Sequence, residues 1–322
     1  MSTGNIFLPR LKRKSLSCFL GSVFLAYLVL LFLHPAAFAG GKSIGIIITG
    51  DGRYYREMQN AFMAKLGREG YDDKVRVIVQ KPYPDNVSLS NAVRKLMAID
   101  VDLIITYGTA ATMAAFREKT KIPVVYAGVY EPIASKLRDA NMTGVSARPS
   151  VSSLLRYVRG TTSLKNIGII YNSAEEDSLF QAREVYKMSG QYGLRSESIN
   201  IRGVRAIKAA LAGRKLDALF ITSSSLAEMA SSEIEEFSRT YRIPTASLVP
   251  GRSFLITLCA NPRDLGEKAA ERAIKILTGT HPEKIARTSS NDTELVFNLK
   301  EAVNMGFDIP AALVTEATRL IK

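Results

Sequence analysis

Two short stretches of this 322-residue chain combine residue types and positions suited to holding a small charged molecule. Thr109, Ala110 and Ala111 follow the apolar run Leu103–Tyr107 through Gly108 and open a helical pattern. The first turn of such a helix presents N–H groups and the positive end of the helix dipole, which suit a carboxylate, and the Thr109 hydroxyl adds a donor. A plain N-cap by Thr109 uses the same exposed end, so capping and anion binding both remain open here. Ser223, Ser224 and Ser225 stand in the equivalent place after a second apolar run, with the same two readings.

Tyr54, Tyr107, Tyr130 and Tyr171 fall at or near the ends of apolar runs. Two facing tyrosines can sandwich an aromatic or flat apolar ligand, with stacking worth roughly 0.5–1.5 kcal/mol per pair beyond area burial. The plainer reading makes each a half-buried rim residue. Glu131 is placed to pair with a ligand ammonium, or else is a surface carboxylate beside Pro132. Asp51 and Arg53 lie in the first loop, where a Gly-Asp-Gly turn needs no function. Asn172 and Ser173 offer hydrogen-bond donors, whereas Glu175-Glu176-Asp177 reads as a solvated helix start, where acids suit the dipole.

Covalent chemistry has little to stand on. The chain has two cysteines, Cys18 and Cys259, and two histidines, His34 and His281, and neither histidine lies beside a cysteine. There is no G-x-S-x-G elbow and no H-E-x-x-H, so the expectation is a protein without catalytic residues, metal or cofactor. Cys259, inside the apolar run FLITLCA, reads as a small buried hydrophobe. Ala36–Ser43 fits a relaxed phosphate-loop pattern. Such a loop must follow a strand and open a helix, and this one precedes the first strand.

The elements that position these residues alternate. Ile44–Thr49 is a short apolar run, and Tyr55–Glu69 has helical spacing at Met58, Phe62 and Leu66. Val75–Val79, Leu103–Tyr107 and Val124–Ala127 read as strands, separated by helical patterns over Leu89–Ile99 and Ala110–Glu118. Continuous apolar strands separated by helices imply a parallel sheet covered on both faces. The order then recurs. IGIIITG at 44–50 is echoed by IGIIYNS at 167–173, VDLIITYGTA at 101–110 by LDALFITSSS at 216–225, and IPVVYAG at 122–128 by IPTASLV at 243–249. The span from first to last motif is 78 residues in one copy and 76 in the other. The fold class is therefore α/β, with two similar doubly wound parallel-sheet lobes and an interlobe ligand cleft at the carboxyl ends of the strands. The expected division is lobe 1 over 42–146 plus about 253–280, and lobe 2 over 147–250 plus about 281–322. Asn141–Arg148 is the expected first crossover.

Residues 1–39 read as an export signal. A basic segment from Arg10 to Lys14 precedes a largely apolar stretch of 18 residues, Leu16–Leu33, and then Ala37-Phe38-Ala39. That is the order of a secretory signal cleaved after Ala39. The apolar stretch is also long enough for an uncleaved anchor. Composition is ordinary for a globular chain, at 47% hydrophobic and 23% charged residues, which excludes disorder. Of the net charge of +13, four positive charges lie in the basic segment at 10–14; the rest is scattered, which supports an anionic ligand or membrane surface only weakly and gives little for nucleic acid.

The motif order resembles the ABC transporter substrate-binding protein family of type I periplasmic binding protein fold, in the group that includes tryptophan- and tyrosine-binding members. The matching pieces include VDLIITYGTAAT (101–112), IPVVYAGVYEP (122–132), NMTGVS (141–146), IGIIYNSAEEDS (167–178), LGEKAAERAIKILTG (265–279) and ELVFNLKEAVNMGFDIP (294–310). The resemblance covers essentially all of the chain after the signal. It implies a periplasmic or otherwise extracytoplasmic monomer. That protein would capture a small organic solute, such as an aromatic or branched amino acid, by cleft closure and deliver it to an ABC permease. The alternative is a sensory module presenting its ligand to a membrane receptor. Family members often carry Thr/Ser-Asp-Pro where this chain has Tyr130-Glu131-Pro132, and an Asp-Asn pair where it has Ser223-Ser224-Ser225. Both departures fall at the expected cleft, so ligand identity does not carry over.

Overall fold

The structure is a computed structural model that describes residues 41–49, 53–132, 137, 139–249 and 254–322. The proposed signal and Asp51 lie outside the described residues. Residues Lys42–Lys322 form one compact unit.

The first half of the chain runs β1 (Lys42–Ile47), α1 (Arg53–Arg68), β2 (Val75–Gln80), α2 (Asn86–Ile99), β3 (Leu103–Tyr107), α3 (Gly108–Arg117), β4 (Val124–Val129) and β5 (Met142–Ala147). It continues with α4 (Val151–Thr161), β6 (Asn166–Tyr171), α5 (Glu176–Gln191), β7 (Arg195–Asn200), α6 (Ile207–Leu211), β8 (Ala218–Ile221), α7 (Ser225–Met229), α8 (Ser231–Tyr241) and β9 (Thr245–Ser247). The last part comprises β10 (Ile256–Ala260), α9 (Pro262–Leu277), β11 (Thr288–Ser290), β12 (Thr293–Asn298), α10 (Leu299–Met305), α11 (Ala311–Glu316) and β13 (Arg319–Ile321).

These strands make two sheets, ordered β11-β5-β4-β3-β1-β2 and β13-β12-β10-β9-β8-β6-β7. Pairing is parallel throughout except between β10 and β12. The central strands are apolar on both faces, with Leu103, Ile104 and Ile105 all fully buried, because helices cover both sides of the sheet.

The internal repeat is visible in matched hydrogen bonds. Asp102 accepts from the Ser43 N–H at 2.8 Å at the start of β1, and Asp217 accepts from the Asn166 N–H at 2.7 Å at the start of β6. These are the second residues of the echoing VDL and LDA motifs. Likewise Ile104 N–H donates to Pro123 O and Leu219 N–H to Pro244 O, each at 2.9 Å. The two Ile-Pro motifs thus sit at the same register position in their sheets.

Two expectations need correction. Within the expected crossover Asn141–Arg148, Met142–Ala147 is strand β5, paired parallel with β4 across a register shift between Ala127 and Val129, because Met142, Thr143 and Val145 are buried in the sheet. The chain crosses just after it, at residues 148–150. Ile256–Ala260 belongs to the second sheet rather than the first lobe, since every residue of this run is buried between β9 and β12. The first lobe instead takes α9 and β11. Helix α9 lies against α1 so closely that a Cβ on Gly266 would run into the Met58 carbonyl oxygen. The return crossings are tied together where the Asn261 N–H donates to Asp292 O at 2.9 Å and the Asn261 amide donates to the Asp292 carboxylate at 3.0 Å.

Candidate functional site

A cavity of about 930 Å³ opens at the carboxyl ends of the strands and is walled by both lobes. The first lobe contributes the start of α1, the start of α2 and the β3–α3 junction; the second contributes the β6–α5 and β8–α7 junctions, with Phe254 and Arg319.

The β3–α3 junction has no loop. Tyr107 is the N-cap but makes no side-chain capping bond, its hydroxyl donating to Gln59 at 2.9 Å, and Gly108 turns the chain at φ +78°, a conformation that L side chains rarely adopt. The Tyr55 ring lies over Gly108, and a Cβ there would come within 2.6 Å of the Tyr55 hydroxyl. Next in the chain, Thr109 donates its hydroxyl across the cleft to the Asp177 carboxylate. Asp177 also accepts from the Tyr130 N–H at 2.9 Å, so one second-lobe carboxylate holds two first-lobe donors. It is only 3% exposed.

At the β8–α7 junction, Ser224 caps the helix through the Ala227 N–H at 3.3 Å. The first turn is already occupied by a carboxylate of its own lobe. Glu175 accepts from the Ser225 N–H at 2.8 Å, the Ser224 hydroxyl at 3.0 Å and the Asn172 amide at 2.8 Å. Ser223 N–H donates to Gln181 at 2.8 Å.

The comparisons with known proteins decide the family. The profile described as ABC transporter substrate binding protein matches residues 43–321. The chain belongs to the ABC transporter substrate binding protein family. A curated relative, the "Tyrosine-binding protein" of Clostridioides difficile (strain R20291), is 25% identical over 272 residues, covering 80% of this chain and 79% of the relative. Among solved structures, the ABC domain in complex with L-Trp from Streptococcus pneumonia matches with TM-score 0.80 at 21% identity, covering 87% of this chain and all of that one. The ligand-free, open structure of a substrate binding protein with adhesive properties from Clostridium difficile matches with TM-score 0.65 at 23% identity, covering 87% and 99%. The family and these relatives are binding proteins rather than enzymes, and this fold is the type I periplasmic binding protein fold of the neighbours.

In this substrate binding protein, Tyr54, Tyr107, Thr109, Ala110, Asn172, Ser223, Ser224 and Ser225 line the cavity. Five others do not. Gly108 lies beneath the Tyr55 ring, and Tyr171 packs against the second-lobe core. Tyr130 is buried with its hydroxyl on Glu184 at 2.9 Å. Glu131 is held by Arg148 at 2.7 Å, and the Ser173 N–H is turned to Asn200 at 3.0 Å. Within the cavity wall, Tyr54 presents less than expected, because its hydroxyl donates to Ala260 O at 3.1 Å. The acidic trio is also corrected. Asp177 is buried, Glu176 pairs with Arg117 at 3.3 Å across the cleft, and Glu175 occupies the α7 start.

Residues that the sequence did not single out as ligand contacts are central here. Tyr55, Glu175, Asp177, Glu228 and Arg117 all line the cavity. A helical signal existed for the first: Tyr54, Met58, Phe62 and Leu66 form the buried stripe of α1, which turns Tyr55 off that stripe and toward the cleft. Burial, followed by the carboxylates of Glu228, Asp177 and Glu175, pushes the Tyr55 hydroxyl above its ordinary value. Burial does the same for Tyr54 and Tyr107, so all three stay neutral donors. The wall thus combines tyrosines and arginines on the first-lobe side with carboxylates on the second, suited to a ligand with a flat apolar body and charged groups.

Proposed function

We propose that this substrate binding protein captures an aromatic amino acid outside the cytoplasmic membrane by closing its lobes, and hands it to an ABC importer. The observation that carries this reading is the interlobe cavity, with Tyr55, Tyr107 and Phe254 beside the carboxylates of Glu175 and Asp177. The relative named for tyrosine binding supports the ligand class. Closure rests on Asp177: it accepts from the Thr109 hydroxyl and the Tyr130 N–H of the other lobe, so opening the cleft gives up both hydrogen bonds. A ligand that fills the cavity replaces water in the closed form only, and so shifts the open–closed balance toward closure. Among the described residues no helix is long and apolar enough to cross a membrane. An extracytoplasmic place follows from the family and from the signal-like residues 1–39.

The test is native mass spectrometry of protein purified without refolding, with identification of any co-purified small molecule. Tyrosine, tryptophan or phenylalanine coming off supports the reading. A protein that arrives empty and whose Tm does not move with any of the three overturns the ligand class.

A further inference from the structure

Charge around the cavity is sorted to two ends. Glu175, Asp177 and Glu228 line one end of the cavity together with Tyr55. The other end is the start of α1, a 16-residue helix with no acid in its first turn and two arginines, Arg53 and Arg56, both in the cavity wall. Arginines at the positive end of a helix dipole run against the usual preference for acids there. Arg319 of β13 joins them from the second lobe. The acids beside this end are shared: Glu57 lies 2.8 Å from Arg53 and 3.5 Å from Arg319, and Glu294 lies 3.6 Å from Arg319.

Three polar groups at this end are buried without a hydrogen-bond partner: two donors, the Thr49 hydroxyl and the Arg319 Nε, and one acceptor, the Glu294 Oε2 that lies 3.6 Å from Arg319. Thr49 is 5% exposed and forms part of the cavity wall just ahead of α1. A buried donor left unmade destabilises the protein unless something completes it, and an anionic oxygen would. Of the donors expected to hold a ligand carboxylate, the Thr109 hydroxyl and the α7 first turn are, by contrast, already bonded to carboxylates. Glu175 takes the α7 end and Asp177 takes Thr109, so a ligand carboxylate there would meet like charge.

Resting on the amino-acid reading above, we propose that Thr49, Arg53 and Arg319 at the start of α1 form the carboxylate subsite, while the Glu175–Asp177 wall faces the ammonium. The site then takes zwitterionic amino acids in one orientation and rejects the corresponding amines.

Calorimetric titration of the full-length protein with L-tyrosine, L-tryptophan, tyramine and tryptamine tests this. The amino acids are expected to bind about a hundredfold more tightly than the amines. Thr49→Val and Arg319→Gln are each expected to weaken amino-acid binding about tenfold while leaving amine binding unchanged. Thr49→Val should also raise the Tm of the empty protein, because it removes an unsatisfied hydroxyl at nearly constant shape. Equal affinity for amines and amino acids overturns the carboxylate subsite and leaves the aromatic reading standing. So does a variant that weakens both classes equally. If none of the four binds, the aromatic reading falls and this inference with it.

Discussion

Helix α3 and helix α7 open after equivalent strands of the two lobes, from the echoing stretches YGTA and TSSS, yet their first turns are used in different ways. In α3, the Thr109 hydroxyl reaches across the cleft to Asp177. In α7, the Ser225 N–H and the Ser224 hydroxyl turn inward to Glu175 of the same lobe. One end bonds to the other lobe through a side-chain hydroxyl, and the other is bonded within a single lobe. Internal repetition therefore fixes where a helix end is placed, while the neighbour that reaches it decides what it does.

Replacing Asp177 should break this comparison most strongly. Asp177→Ala removes the acceptor of two interlobe donors, and losing buried hydrogen bonds to a charged group costs about 2–4 kcal/mol, or roughly a hundredfold in ligand affinity. Small-angle scattering should show the variant remaining extended at ligand concentrations that compact the parent; compaction to the parent's radius would show that Asp177 does not hold the lobes. Gly108→Ala should come next. With φ at +78° and the Tyr55 hydroxyl 2.6 Å from the new Cβ, the change should lower Tm by roughly 3–10 °C and tilt Tyr55 into the cavity. An unchanged Tm would mean that the α3 junction is more yielding than its geometry indicates.

Glu175→Gln sharpens the contrast. It weakens a contact internal to the second lobe by about 1 kcal/mol, so Tm should fall slightly while ligand-induced compaction persists. Loss of compaction here would erase the distinction between the two helix ends. The smallest effect expected is in alkali. Burial raises the Cys259 thiol from 9.0 to about 12 and raises Tyr54, Tyr55 and Tyr107 above 10.0. A group whose folded-state pKa is raised contributes stability below its unfolded value and loses it as pH climbs toward the folded one. Tm should thus hold to pH 9 and then fall, and Cys259→Ala should move the onset toward pH 10.

Much of the fold was legible locally. Leu103–Tyr107 was placed to the residue, and Ile44–Thr49 and Val75–Val79 to within two residues at either end, because continuous apolar runs have few other uses. The third segment was not legible. FLITLCA suits the interior of either sheet, and only pairing with β9 and β12 chooses between them. At the site, Thr109 and Ser223–Ser225 reached the cavity wall because a strand-to-helix junction fixes its own position. Tyr130 and Glu131 did not, since Glu184 and Arg148 draw them aside.

By itself the sequence determined the alternation of elements, the internal repeat and the two helix ends at the cleft, all of which follow from apolar periodicity and short-range turn chemistry. Only the tertiary structure decided that Asp177 is buried, that Glu175 fills the α7 end and that Tyr55 rather than Tyr54 faces the ligand space. Each of those depends on a partner brought close in space, as Thr109 is to Asp177 across 68 residues of chain. A carboxylate's role is set by the donors that fold onto it, and its flanking residues do not encode them.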